Sequence, residues 1–266
     1  MCRRYGSDFL SLSKILSMLP KINPTVTEAW KSLQEHYEAI QDKTILSFFE
    51  EGDRVEKFSA VFEDLYLDFS KNILDDTGLE LLRDLAEECG LDEAKDAFFR
   101  GERINETENR SVMHPALRSP RGKKKMVDGV DVNAQVWDVL DQMVDFVRQL
   151  TDGTWTGYTG KKIKHVINIG IGGSDLGAVM VYEALTPYHD TGITCHFVSN
   201  VDGNQIHQIL KNLDAAETLF VISSKTFTTI ETMTNAHTAR QWVLDQGAKE
   251  TDIARHFVAV STNEAG

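Results

Sequence analysis

Cysteine is scarce in this chain, with Cys2, Cys89 and Cys195 the only three among 266 residues. An odd number at no metal-like spacing excludes a disulfide framework and a zinc cage, and it suits a reducing compartment. A cytoplasmic location is therefore expected. Positive charge is also in short supply, since 28 Lys and Arg stand against 41 Asp and Glu, a formal charge of −13. A protein that neutralises a polyphosphate backbone needs the opposite balance, so no nucleic acid is expected as a partner. Long apolar runs are missing as well. No stretch approaches the roughly 20 consecutive apolar residues of a membrane span, so no membrane partner is expected either.

What is present is enough for a core. Hydrophobic residues make up 41% and charged residues 26%, close to the globular average and away from the composition of disordered chains. The length suits one large domain or a domain with a substantial helical extension. At the N-terminus, Arg3, Arg4 and Lys14 lie among serines in the manner of a transit peptide. Asp8 and Lys14 interrupt any signal-peptide apolar core, so this stretch reads as an amphipathic lead-in.

Two rhythms divide the remainder. From residue 24 to about 150 the apolar residues mostly recur at three and four. Trp30, Leu33, Tyr37 and Ile40 form one stripe, and Val136, Val139, Leu140, Met143, Phe146, Val147 and Leu150 form another, the pattern of helices burying one face. Thr27 with Glu28 is a start signal for the first, and Asp152 with Gly153 is a stop for the second. Between them SPRGKKKMVDG, at 119–129, reads as an exposed loop. Its Arg121, Lys123, Lys124 and Lys125 read as a solvated charge run rather than an anion patch.

After Gly160 come four short apolar runs, HVINIG (165–170), TCHFVS (194–199), TLFVIS (218–223) and HFVAVS (256–261). Helical stretches separate them: LGAVMVYEAL, NQIHQILKNL and IETMTNAHTARQWVL. This β-α-β-α-β-α-β order with strands apolar on both faces predicts a parallel sheet between helix layers, all strands ending on one ligand-binding edge. The fourth run is followed by five residues only. A sheet ending there would leave apolar surface or an open edge, so the chain is expected to be a fragment or a piece that a partner completes.

Two turns on that edge have anion-binding character. In NIGIGGSDLG (168–177), Gly170, Gly172 and Gly173 let the backbone bend and approach a ligand, and Ser174 or Asp175 is placed to cap the next helix. A dinucleotide fingerprint fails here, because the third glycine position is occupied by Asp175 and the nearest acid after the next strand, Asp202, lies too far on. A Walker loop fails for want of a Gly-Lys-Ser or Gly-Lys-Thr. The second turn, SSKTFTTIE (223–231), offers the hydroxyls of Ser223, Ser224, Thr226, Thr228 and Thr229 and the ammonium of Lys225. Thr228 and Glu231 have capping-box spacing. Many short donors with modest positive charge suit a phosphomonoester.

These stretches, with GERINETENRSVMHPALR (101–118), GYTGKKIKHVINIGIGGSDLGAVMVYEAL (157–185), HFVSNVDG (196–203) and SSKTFTTIETMTNA (223–236), resemble the phosphoglucose isomerase family in sequence and order from about residue 68 to 263. The resemblance implies the sugar isomerase fold, a flavodoxin-like three-layer α-β-α sandwich present twice in a full-length enzyme. Here it implies a mainly helical region over 1–125 and the first such domain, truncated at its C-terminal end, over 126–266. It places substrate phosphate on Gly173, Ser174, Ser224, Lys225, Thr226, Phe227, Thr228 and Thr229. It further implies reversible isomerisation of glucose 6-phosphate and fructose 6-phosphate through a cis-enediol, a homodimer when full length, and no metal or redox cofactor. The family's glutamate base, histidine, lysine and arginine would follow Gly266, so no catalytic residue is expected in this chain and the chain alone is expected to be inactive.

Candidate substitutes read otherwise. His196 lies in a strand and reads as core, Glu231 as a cap, His207 and His237 as helix residues with surface or packing roles, and His114 has no assigned chemistry. A second reading, from a different class, is a module that binds a sugar phosphate without transforming it.

Overall fold

The computed structural model describes residues 19–263; the N-terminal lead-in with Cys2, Arg3, Arg4, Asp8 and Lys14 lies outside them. Two compact units divide between Trp137 and Asp138, within the helix that begins at Val132.

The first unit carries α1 (Glu28–Ile40), the short α2 (Ile45–Phe48) and α3 (Arg54–Lys57), an antiparallel hairpin of β1 (Ser59–Phe62) and β2 (Leu65–Asp68), then α4 (Asp76–Glu88) and α5 (Leu91–Arg100). A second small hairpin, β3 (Met126–Val127) with β4 (Val130–Asp131), leads into α6 (Val132–Asp152). Thr27 caps α1 as its sequence suggests, its hydroxyl accepting from the Trp30 N–H at 3.2 Å. The buried side of α1 differs from the expected stripe. Ala29 and Ile40 are buried whereas Tyr37 is exposed, because α4 packs along the Ala29 side, where the Glu88 carboxylate accepts from the Ala29 N–H at 3.1 Å.

Two hairpins in a region read as mainly helical were not foreseen. Arg54 explains the first one's anchorage. Its guanidinium is buried, donates to the carbonyls of Ser70, Asn72 and Leu74 at 2.6–2.8 Å, and lies over the rings of Phe48 and Phe58. A buried cation with no carboxylate partner among the described residues is stabilised when such carbonyls and ring faces replace water.

The second unit is the α/β layer. Parallel strands β5 (His165–Ile169), β6 (Thr194–Val198), β7 (Thr218–Ser223) and β8 (Phe257–Val260) lie in the order β6-β5-β7-β8. The intervening helices are α7 (Leu176–Ala184), α8 (Gly203–Leu210) and α9 (Ile230–Asp245). All four apolar runs and all three helical stretches fall where the sequence predicts them.

Side chains on a strand alternate between faces. Ile167, Ile169, Val198, Phe220 and Ile222 point to one face and are buried there under Ile206 and Leu210 of α8 and Ala236, Ala239 and Val243 of α9. The alanines let α9 approach closely. Phe220 stacks on Phe257 at 4.9 Å and meets Trp242 edge-on at 6.1 Å. Each such aliphatic or aromatic burial contributes about 1.5–3 kcal/mol.

The opposite face carries α7 and the end of α6, where Leu150, Ile163 and Leu219 form a smaller cluster. A cleft of about 450 Å³ remains over it, lined by Met143, Val147, Tyr182, Val221, Val258 and Val260 among others. The expected stripe on α6 is accordingly buried only at Leu150, while Val139, Met143 and Val147 are each more than half exposed.

Candidate functional site

Parallel pairing of neighbouring strands sets the site. Ile169 is opposite Ile222, so the chain leaves β5 and β7 side by side, and the glycine turn and the hydroxyl turn begin next to each other on the carboxyl edge.

At the glycine turn, a Cβ on Gly170 would lie 2.4 Å from the Ser174 carbonyl oxygen, so no side chain fits. Residues Gly172–Ser174 make a single 3-10 turn, with Gly172 in the left-handed region at φ +57°. Gly172 and Gly173 are exposed and a Cβ on either meets nothing within 4 Å. As the first residues of the turn, their N–H groups have no acceptor within it. Ser174 is half-buried.

Neither expected cap of α7 forms. Asp175 occupies the N-cap position without a side-chain capping bond, and it is buried, with Oδ1 lacking a partner among the described residues. The 3-10 turn accounts for this, because it sets Asp175 at φ −126° and ψ −56°, away from the extended geometry of a capping residue.

The hydroxyl turn is built differently. Ser224 is buried, and its hydroxyl lies 3.5 Å from that of Thr229. Lys225, Thr226 and Thr228 are exposed, and the hydroxyls of Thr226 and Thr228 share a hydrogen bond of 2.6 Å. Phe227 adopts φ +57° and, half-buried, packs against the main core.

The segment after β8 holds this turn from below. The Lys225 carbonyl accepts from the Ser261 hydroxyl, the Thr262 hydroxyl and the Thr262 N–H at 2.9–3.1 Å, and the Thr226 carbonyl accepts from the Asn263 amide at 3.0 Å. The capping box expected of Thr228 and Glu231 is absent. Thr229 is the N-cap of α9 and makes no side-chain cap bond, Thr228 is engaged with Thr226, and Glu231 is exposed.

Ser223, read as a ring donor, instead donates to Asn168 Oδ1 at 2.7 Å, while Asn168 Nδ2 donates to the Ser174 carbonyl at 3.1 Å. Asn168 was not singled out in the sequence. Its signal was a lone amide within the apolar strand His165–Ile169. A third turn, after β6, lies on the same edge. Gln205 accepts from the Ser199 and Asn200 N–H groups at 3.1 and 2.8 Å, and the buried Asn235 donates to the Asn200 carbonyl at 2.8 Å.

The histidines divide as follows. His207, His237 and His114 are exposed. His196 is half-buried, with its Nε2 3.3 Å from His165 Nδ1; burial, and then the neighbouring His165, push its pKa below the usual histidine value. His256 is fully buried, its Nδ1–H donating to the Thr218 carbonyl at 2.7 Å and its Nε2 accepting from the Tyr158 N–H at 2.9 Å. It fastens the segment before β5 to the sheet. No group of three or more His, Cys, Asp or Glu suited to a metal ion occurs among the described residues.

Four parallel strands in this order, helices on both faces and paired turns on the carboxyl edge define a doubly wound α/β protein of flavodoxin-like type. The sequence then settles the family. The model of the phosphoglucose isomerase family matches residues 68–266, and the chain belongs to that family. It is 53% identical over 237 residues to the glucose-6-phosphate isomerases of Roseiflexus sp. (strain RS-1) and Roseiflexus castenholzii (strain DSM 13941 / HLO8), covering 89% of this chain and 44% of each relative. The crystal structure of a glucose-6-phosphate isomerase from Chlamydia trachomatis D/UW-3/Cx superposes with a TM-score of 0.71 at 26% identity, over 92% of this chain and 46% of that one. The chain thus spans less than half the length of the curated relatives it matches, and it has the family's sugar isomerase fold. No described helix is long and apolar enough to cross a membrane.

Proposed function

We propose that this chain supplies the phosphate-holding part of an enzyme that interconverts glucose 6-phosphate and fructose 6-phosphate. The observation that carries the reading is the pair of adjacent turns on one sheet edge, Gly173 and Ser174 on one side and Ser224, Lys225, Thr226, Phe227, Thr228 and Thr229 on the other. Phosphate oxygens would accept from the exposed hydroxyls of Thr226 and Thr228 and from main-chain N–H groups of both turns, with Lys225 adding one positive charge. Exposed Gly172 and Gly173 leave the backbone open to close approach.

In this reading residues 126–266 form the first sugar-isomerase domain and residues 1–125 its preceding region. The enzyme works as a cytoplasmic homodimer. Aldose-ketose isomerisation moves a proton between neighbouring carbons through a cis-enediol and needs an acid or base within hydrogen-bond reach of that proton. These 266 residues contribute binding, and the proton-transfer groups come from outside them.

Titration calorimetry tests the binding part. The chain is expected to bind glucose 6-phosphate and not glucose, and equal affinity for the two sugars would overturn the cradle. A coupled assay tests the rest, with no turnover expected from these 266 residues alone. Turnover would show that they carry proton-transfer groups of their own.

A further inference from the structure

We propose that Asn168 is a positioning residue, the amide that sets the spacing between the two turns and so the affinity for the phosphate group. The inference rests on the cradle reading above and adds a residue that contributes no hydrogen bond to the ligand itself. Asn168 stands at the fourth position of β5, with Val221 of β7 opposite. Its two amide atoms point to different turns. Nδ2 donates to the Ser174 carbonyl at 3.1 Å, and Oδ1 accepts from the Ser223 hydroxyl at 2.7 Å. The chain Ser174–Asn168–Ser223 is therefore the described side-chain link joining one half of the cradle to the other.

Only a side chain with a donor and an acceptor on one planar group makes both bonds at once. Leucine matches its shape and makes neither. Aspartate, when ionised, retains the acceptor for Ser223 but faces the Ser174 carbonyl with a second acceptor, which repels it. A protonated aspartic acid donates again. The ligand meets the two turns from outside, so a change of a few tenths of an ångström in their separation alters every donor distance while leaving each donor present.

The test is calorimetric titration of glucose 6-phosphate into the 266-residue chain and its variants, with melting temperature recorded for each. N168L is expected to bind about tenfold more weakly, the combined effect of two neutral hydrogen bonds. S223A breaks one of the two and is expected to weaken binding by a few fold, and adding it to N168L is expected to change little more, since the bridge is already broken. N168D supplies a readout that a purely structural role does not move. Measured relative to the parent at each pH, its affinity is weakest at pH 7.5 and recovers as pH falls toward 5 and the introduced carboxyl regains its proton.

Parent-like affinity in N168L and N168D, with weakened binding in T226A, would overturn the positioning role and leave the cradle standing. Absence of binding by the parent chain would overturn the cradle and this inference with it. If N168L fails to fold, S223A and the pH profile of N168D decide the matter. A pH-independent deficit in N168D together with parent-like S223A counts against the proposal.

Discussion

The two turns on the carboxyl edge reach the same place by opposite means. The glycine turn is shaped by what it lacks. Gly170 has no room for a Cβ beside the Ser174 carbonyl, and Gly172 and Gly173 carry nothing that would hold a ligand off. The hydroxyl turn is shaped by what surrounds it. Three donors converge on the Lys225 carbonyl, Asn263 holds the Thr226 carbonyl, and Phe227 is held in a left-handed conformation, packed against the core. Within the glycine turn only Gly170 is fixed by a clash, whereas the hydroxyl turn depends on the hydrogen bonds its neighbours supply. Filling the space at Gly170 should therefore cost stability, and removing an exposed hydroxyl of the second turn should cost affinity.

The largest expected effect tests that contrast within one turn. Gly170→Ala places a methyl against a backbone oxygen that cannot swing away, and a loss of about 3 kcal/mol in urea-unfolding stability is expected. Gly173→Ala, in open space, is expected to stay within about 0.5 kcal/mol of the parent. Equal losses at the two positions would mean that the turn, and not the contact with Ser174, is what matters.

Next in size comes the hydroxyl turn's own contribution. Thr226→Ala removes an exposed hydroxyl, so it should leave the melting temperature near the parent value while weakening glucose 6-phosphate binding by about 1.5–3 kcal/mol, the loss of a charge-assisted bond. Unchanged affinity in calorimetry would put the ligand elsewhere on the edge. Smaller again is Ser261→Ala, which removes one of three donors to the Lys225 carbonyl. About 0.5–1.5 kcal/mol of stability is at stake, reduced because the Thr262 hydroxyl and N–H still reach the same oxygen, and amide exchange across residues 224–229 should quicken.

The two turns also differ in how far the sequence disclosed them. Glycines before a helix and a cluster of Ser and Thr after an apolar run are local signals, and both turns lie where those signals put them. The strands were equally legible, because burial on both faces leaves continuous apolar runs with sharp polar ends. Caps were not. Thr228 had the spacing for a capping box, but the Thr226 hydroxyl engages it, a competition decided by the shape of the turn.

Pairings across sequence were hidden for the same reason. Ser223 looks like a ligand donor until Asn168, 55 residues away, claims it. The hairpin of β1 and β2 gave no alternating pattern to read, since Val61, Phe62, Leu65 and Leu67 are all largely exposed. The helical stripe on α6 has the right period, but only its end, at Phe146 and Leu150, meets the small cluster. Periodicity reports which side of a helix is apolar and not what lies against it.

The smallest expected effect extends the comparison to the strands beneath the turns. Under the glycine side, His165 of β5 faces His196 of the edge strand β6, and burial followed by His165's charge lowers the pKa of His196. A lowered value means that the folded state prefers the neutral ring. The associated stability is complete above the unfolded value of about 6.5 and is lost as pH falls through the lower folded value. Under the hydroxyl side, the Phe220 and Ile222 side chains of β7 carry no titratable group, and the ring of the buried His256 meets that strand only at its first residue, through the Thr218 carbonyl. Acidification from pH 7 toward 5 should therefore loosen β6 before the carboxyl end of β7, seen as an earlier fall in amide protection, corrected for intrinsic exchange, at 194–198 than at 221–223. His196→Phe should remove the difference, because an uncharged ring there has no proton to gain; simultaneous loosening of both strands in the parent chain would mean that the histidine pair does not set the acid limit of this sheet.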